Sequence, residues 1–234
     1  MKKIFLLFLI LGTFVSVTSA QDEYSAAAKK LLAAVRSVSL HGNKAQDFVP
    51  GGWEISSEIA KGDLNGDGLP DYVMDLSATV ENEGEFLNAV MVLLSEKNGK
   101  LRRFAVNDRL SSGFYNAGFV VTIEKGSLIL NSNYGENHAT DLTYRFKYDG
   151  AAADLLLTSF EYETYTRSGS QNALLTKYHF LTGLKEEITK VLNRSKRSTA
   201  LYSHFKTKRS KFKPAKISFQ QAHFQINENG DGAP

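Results

Sequence analysis

The chain has 234 residues, 42% of them hydrophobic and 23% charged, which excludes a wholly disordered polymer and supplies enough apolar surface for one buried core. It contains no cysteine, which excludes a disulfide framework, a thiol nucleophile, a thiolate metal centre and the lipid-attachment cysteine of an exported lipoprotein. The formal charge of +3 is uneven: Lys190, Arg194, Lys196, Arg197, Lys206, Lys208, Arg209, Lys211, Lys213 and Lys216 follow one another with no acid between them, so the preceding body is net acidic.

The first twenty residues run from a basic start (Lys2, Lys3) through the apolar stretch Ile4 to Leu11 to the small, polar end Thr18-Ser19-Ala20. That order is the order of a cleavable secretory signal peptide, with cleavage expected after Ala20. The apolar run is short of the roughly 20 residues a membrane span needs, and no later stretch reaches that length. Residues 21–192 then read as a β-rich domain and residues 193–234 as a basic, partly ordered C-terminal segment. Export places the working protein in the periplasm or outside the cell.

From Tyr24 to Leu40 the apolar residues Leu31, Leu32, Val35 and Val38 recur at helical spacing, with Asp22 placed to cap the start and Gly42 to stop the run. The apolar face of this helix should cover one side or one edge of a sheet. After Pro50-Gly51-Gly52 the period changes to two. Strands are expected at 53–59, 72–80, 89–94, 101–106, 119–124, 127–131, 140–148, 155–162 and 173–180. Lys97-Asn98-Gly99 and Lys125-Gly126 fit tight hairpins, so neighbours should pair antiparallel. The expected fold is mainly β, an antiparallel meander or sandwich with one N-terminal amphipathic helix. Glu186 to Leu192 fits a last strand or a short helix, and Phe219, His223, Phe224 and Ile226 could form a final edge strand.

The most specific chemistry lies in Gly62-Asp63-Leu64-Asn65-Gly66-Asp67-Gly68-Leu69-Pro70-Asp71. Calcium takes six to eight oxygen ligands at about 2.3–2.6 Å, and alternate side chains of a curled loop can all turn inward. Asp63, Asn65 and Asp67 would each supply a side-chain oxygen, Leu69 its carbonyl, and Asp71 a further carboxylate. Gly68 permits the tight turn after Asp67. Counted with Asp63 as the first, the twelfth residue is Met74, where an EF-hand has its closing glutamate, and a strand follows instead of a helix.

The order Asp-x-Asn-x-Asp-Gly-x-x-Asp followed by an apolar strand resembles the calcium loop of FG-GAP and VCBS-type repeats, over Ile59 to Leu76. The resemblance implies a calcium ion held between two strands. Propellers of that family need several blades, and no second full copy occurs at a fixed period: Asn227-Glu228-Asn229-Gly230-Asp231-Gly232 stops before the ninth position. A multi-blade propeller is therefore not expected. The single loop, the strand Gly126-Ser127-Leu128-Ile129-Leu130 and Tyr144-Arg145-Phe146-Lys147-Tyr148 together look similar to a group of exported bacterial proteins with no assigned activity. A loop that fills its ion with protein oxygens points to a structural role; the competing reading is an Asx-rich turn that binds nothing.

No zincin motif, nucleophile elbow or phosphate-binding glycine loop is present. Glu136, His138 and Asp141 are the one polar cluster that could house a general base, but a polar hairpin loop is the favoured explanation of them, and no catalytic residue is assigned. Glu81, Glu83 and Glu85 fit a solvated hairpin. Glu161 and Glu163 should share the wet face of a strand whose other face carries Phe160 and Tyr162. Tyr202, Phe205, Phe212 and Phe219 interleave with the basic run, a pattern that also suits single-stranded nucleic acid, but export favours an anionic envelope surface, a glycan or an acidic protein, and a solvated tail that aids solubility accounts for the run with no partner at all. The expected function is a non-enzymatic, calcium-stabilised binding module, with a hydrolase of envelope or extracellular polymers as the alternative.

Overall fold

The computed structural model describes residues 24–80, 84–110, 118–194, 200–223, 225–226 and 232–233; the expected signal peptide, Asp22, Glu81 and Glu83 lie outside them. The helix α1 (Ala26–Arg36) is shorter than its periodicity suggests. Ser25 caps it, its Oγ accepting from the Ala28 amide at 3.1 Å, and Glu85 holds Ser25 in turn through its backbone N–H and its hydroxyl. Gly42 is not the helix stop: the helix ends at Ser37, and Gly42 lies in a strand.

Six strands form the first sheet: β1 (His41–Gly42), β2 (Glu54–Ile55), β3 (Ala60–Gly62), β4 (Asp71–Thr79), β5 (Phe86–Ser95) and β6 (Leu101–Asn107). Their order is β1-β6-β5-β4-β2, with β3 also on β4. Of the expected strand from Trp53 to Ile59 only Glu54–Ile55 is strand, and β3 begins just beyond it at Ala60. A second sheet runs in strict sequence order: β7 (Val120–Glu124), β8 (Ser127–Tyr134), β9 (His138–Asp149), β10 (Asp154–Thr166), β11 (Ala173–His179), β12 (Leu184–Leu192) and β13 (Tyr202–Lys211). Every pairing is antiparallel in both sheets. The ambiguous segment 186–192 is strand, and part of the basic segment joins the sheet as its outermost member. The pair β14 (Gln225–Ile226) and β15 (Gly232–Ala233) forms a separate small ribbon.

Period-two alternation divides β4 and β5 between two cores. Val73, Val90, Val92 and Leu94 face the second sheet and meet Leu128, Leu130, Tyr144, Phe146, Leu157 and Phe160. The alternate residues Met74, Leu76, Ala89, Met91 and Leu93 face the other way, onto Ala28, Leu32 and Val35 of α1 and onto Phe48 and Trp53. The Trp53 indole N–H donates to the Leu31 carbonyl at 3.0 Å and fixes the helix against its sheet. The result is three layers, helix on sheet on sheet, with the central strands β4 and β5 buried on both faces along nearly their whole length.

A strap after β13 closes the sandwich. Only Ser159 to Thr164 of β10 pair with β11, so the edge at Leu155 to Leu157 needs another partner. Residues 217–219 supply it: Leu157 donates to the Ile217 carbonyl at 2.8 Å and Phe219 to the Leu155 carbonyl at 2.7 Å. The Asn107 amide on β6 donates to the carbonyls of Phe219 and Ala222, joining the strap to the first sheet. Phe219, expected in an edge strand, is instead fully buried in the core between the sheets.

Candidate functional site

Gly62 to Asp71 is the corner between β3 and β4. Gly66 and Gly68 have φ of 77° and 81°, left-handed values that glycine reaches without a steric penalty, and these two reversals wind the loop. The Asp63 carboxylate accepts from the amides of Gly66 (2.7 Å) and Gly68 (2.9 Å). Asn65 Oδ1 accepts from the Asp67 amide at 3.0 Å. Asp67 accepts from the Leu69 amide at 2.8 Å and from the Asn65 side-chain amide at 3.0 Å. The corner also touches both sheets: Leu64 is buried in the core between them, and a Cβ on Gly62 would meet Ile123 of β7 at 2.6 Å.

Asp71 differs from the other acids of the loop. It is fully buried, and its two oxygens accept from the amides of Leu64 (2.8 Å) and Ser95 (2.9 Å), tying the start of the loop to the end of β5. Burial raises its pKa, opposed by those two amides, Ser95 first. We expect Asp71→Ala, which leaves both amides without an acceptor, to cost about 2–4 kcal/mol in chelator as well as in calcium. Urea unfolding in the two buffers checks it.

The donor types suit a hard cation. Each carboxylate or amide oxygen of Asp63, Asn65, Asp67 and Asp71 accepts from one N–H donor and keeps a second lone pair. Their placement is that of a loop closed by its own hydrogen bonds: among the described residues no three acidic or histidine side chains gather at metal-holding distance. An ion would have to draw them inward.

The other candidate groups are dispersed. His138 opens β9 and Asp141 follows three residues later, which puts the two on opposite faces of the strand. Asp141 accepts from the Asn133 side-chain amide and, at 3.4 Å, from the Tyr165 hydroxyl, while Glu136 lies in the turn before β9. Glu161 is ion-paired with Lys177 (3.0 Å) and Arg145 (3.9 Å), and Glu163 with Lys190. These charges form a cross-strand ladder on the outer face of the second sheet. Glu85 proves to be part of the α1 cap.

One buried group lay outside the expected set. Asp75, in the middle of β4, faces the sheet–sheet core, where its Oδ2 accepts from the Phe119 amide at 3.0 Å. Its Oδ1, the Asn88 side-chain nitrogen and the Tyr144 hydroxyl are buried and find no hydrogen-bond partner among the described residues. Burial pushes the Asp75 pKa up to about 6, against the lowering by the Phe119 amide and Ser56. The signal in the sequence was one acid inside the apolar run Tyr72 to Val80.

The basic segment is the remaining feature. β13 carries Lys206, Lys208, Arg209 and Lys211, and every residue from Ser203 onward in it is exposed. β12 answers with Glu186 and Glu187: Arg209 reaches Glu186 at 2.7 Å and Lys208 reaches Glu187 at 3.5 Å. Arg209, then His179, holds the Glu186 carboxyl below its usual range.

No protein-family model, curated protein or solved structure matches this chain.

Proposed function

We propose that this protein acts outside the cytoplasm as a non-enzymatic β binding module, pinned by calcium at the Asp63–Asp71 corner and meeting an anionic partner through its basic segment. The observation that carries the reading is the projection of the second sheet past the core. All of β12 is half-exposed and nearly all of β13 exposed, so cations stand on a rigid sheet that the fold itself does not bury. Rigid presentation lowers the ordering cost of binding compared with a flexible basic tail.

Adsorption of the purified protein to anionic and neutral surfaces tests this. Binding to the anionic surface should weaken steeply with salt and fall severalfold in Lys206→Ala/Lys211→Ala, since exposed charges are screened within about 10 Å at 0.1 M. Salt-independent adsorption, or equal adsorption to both surfaces, would overturn it. Substitution is the right instrument here, because truncation after Leu192 would also remove Phe219 from the core.

Calcium is supported by five oxygen-bearing positions in one glycine-wound loop that contacts both sheets. Extracellular sites bind at about 0.1–1 mM, so a few millimolar calcium should add about 1–2 kcal/mol and raise Tm by roughly 2–8 °C over chelator. Asp67→Ala should abolish the difference between the two buffers. An unchanged Tm in the parent protein would leave the corner as an Asx-rich turn.

A further inference from the structure

The outermost strand carries more information than its charge. Among the described residues nothing lies beyond β13 in the second sheet, so its outward main-chain N–H and C=O groups have no strand partner. The strand is ten residues long, and residues of like parity on it stand about 6.8 Å apart on one face. Lys206 and Lys208 share one face; Phe205, Arg209 and Lys211 share the other.

The charge balance is local. Lys208 and Arg209 are partly neutralised by Glu187 and Glu186, whereas Lys206, Lys211 and Lys213 make no ion pair among the described residues. Each face therefore keeps an uncompensated cation. On the face of Arg209, Phe205 adds an apolar ring that is 62% exposed.

Lysines on an edge strand ordinarily prevent edge-to-edge pairing. That guard depends on the sign of the incoming charge. A second copy of β13 laid antiparallel would put cations opposite cations, which destabilises a sheet, and so the edge rejects its own kind. A strand with acids at alternate positions would meet opposite charges on either face and gain the main-chain hydrogen bonds as well.

We propose that the free edge of β13 docks an extended acidic polypeptide segment, which joins the seven-stranded sheet as an eighth strand. This rests on the reading of the basic segment as the partner face and names the partner's chemistry. Specificity comes from charge at alternate residues, and register from an apolar residue of the partner placed against Phe205.

The test uses the purified protein and a fluorescent ten-residue peptide alternating Glu with Val, together with its Lys counterpart and two forms of the Glu peptide N-methylated at either the odd or the even residues. Alternate amides of a strand point to opposite sides, so strand addition predicts that one N-methylated form loses about tenfold or more in affinity while the other is retained. The Lys peptide should not bind, and Lys206→Ala/Lys211→Ala should weaken the Glu peptide severalfold. Equal binding of both N-methylated forms, or binding of a polyanionic glycan with none of the peptide, would overturn strand addition and leave the anionic partner face standing. Failure of peptide, glycan and anionic vesicles alike would overturn both.

Discussion

Replacing Phe219 with alanine is expected to destabilise the protein by about 3–5 kcal/mol, the usual range for truncating a buried phenylalanine, and to lower Tm by roughly 6–20 °C. The ring is fully buried and meets Phe146 edge-on at 5.1 Å between centroids and 76° between planes. Its backbone N–H closes the free edge of β10 at Leu155, and its carbonyl accepts from Asn107 on the other sheet. A cavity here therefore loosens the contact between the sheets as well as removing transfer energy. Phe205→Ala serves as the control: its ring is exposed on β13, and the change should stay within about 0.5 kcal/mol. A Phe219→Ala protein that unfolds within about 1 kcal/mol of the parent in urea would show that the strap does not close the core.

The second large effect is a dependence on pH. In the folded state burial holds the proton on Asp75 up to about pH 6, whereas in the unfolded chain the carboxyl releases it near 3.8. Between those values the folded state binds more protons than the unfolded one, so the contribution of Asp75 to stability is most favourable in acid and is lost as pH rises to about 6. The displacement corresponds to roughly 3 kcal/mol, with no further change above the window. Asp71 shifts in the same direction, while Glu186 and Glu187, whose pKa values are lowered by their cationic partners, lose stability as pH falls through the acid range. The effect of Asp75 is best isolated by difference. Asp75→Asn keeps the shape and an acceptor for the Phe119 amide but cannot titrate. Relative to the parent it should gain roughly 3 kcal/mol between pH 4 and 7, read from urea midpoints at half-unit steps. Parallel pH profiles would place the Asp75 proton release in the ordinary carboxylate range.

The elements that rest on local chemistry were legible in the sequence. Lys125 and Gly126 both take positive φ, 50° and 71°, and form the two-residue hairpin their neighbours suggested. The periodicity of Leu32 and Val35 placed the helix, and its face covers a sheet as expected. The two antiparallel sheets follow from short turns and alternation. What was not legible depends on distant partners. Asp75 falls inside the expected strand 72–80, but nothing in that run shows that the helix covers one side of its sheet and the second sheet the other. The basic stretch looked loosely ordered, because nothing near it in sequence shows that β12 lies alongside Tyr202 to Lys211. Phe219 carried a strand-like pattern, and only the gap along β10 explains its burial. In the candidate corner, the glycine turns and alternating acids were readable in order; the burial of Asp71, and its use in holding Leu64 and Ser95, were not.

The strap also sets the order of events at birth. Strands β7 to β10 can pair as they emerge, one hairpin after another, but the flank at Leu155 to Leu157 stays open until Ile217 and Phe219 have been synthesised. More than fifty residues separate the two partners, so the sandwich cannot be completed on a shorter nascent chain. Under the export proposed above, such a delay would have a use: the last structural closure would coincide with arrival on the far side of the membrane and would not precede it.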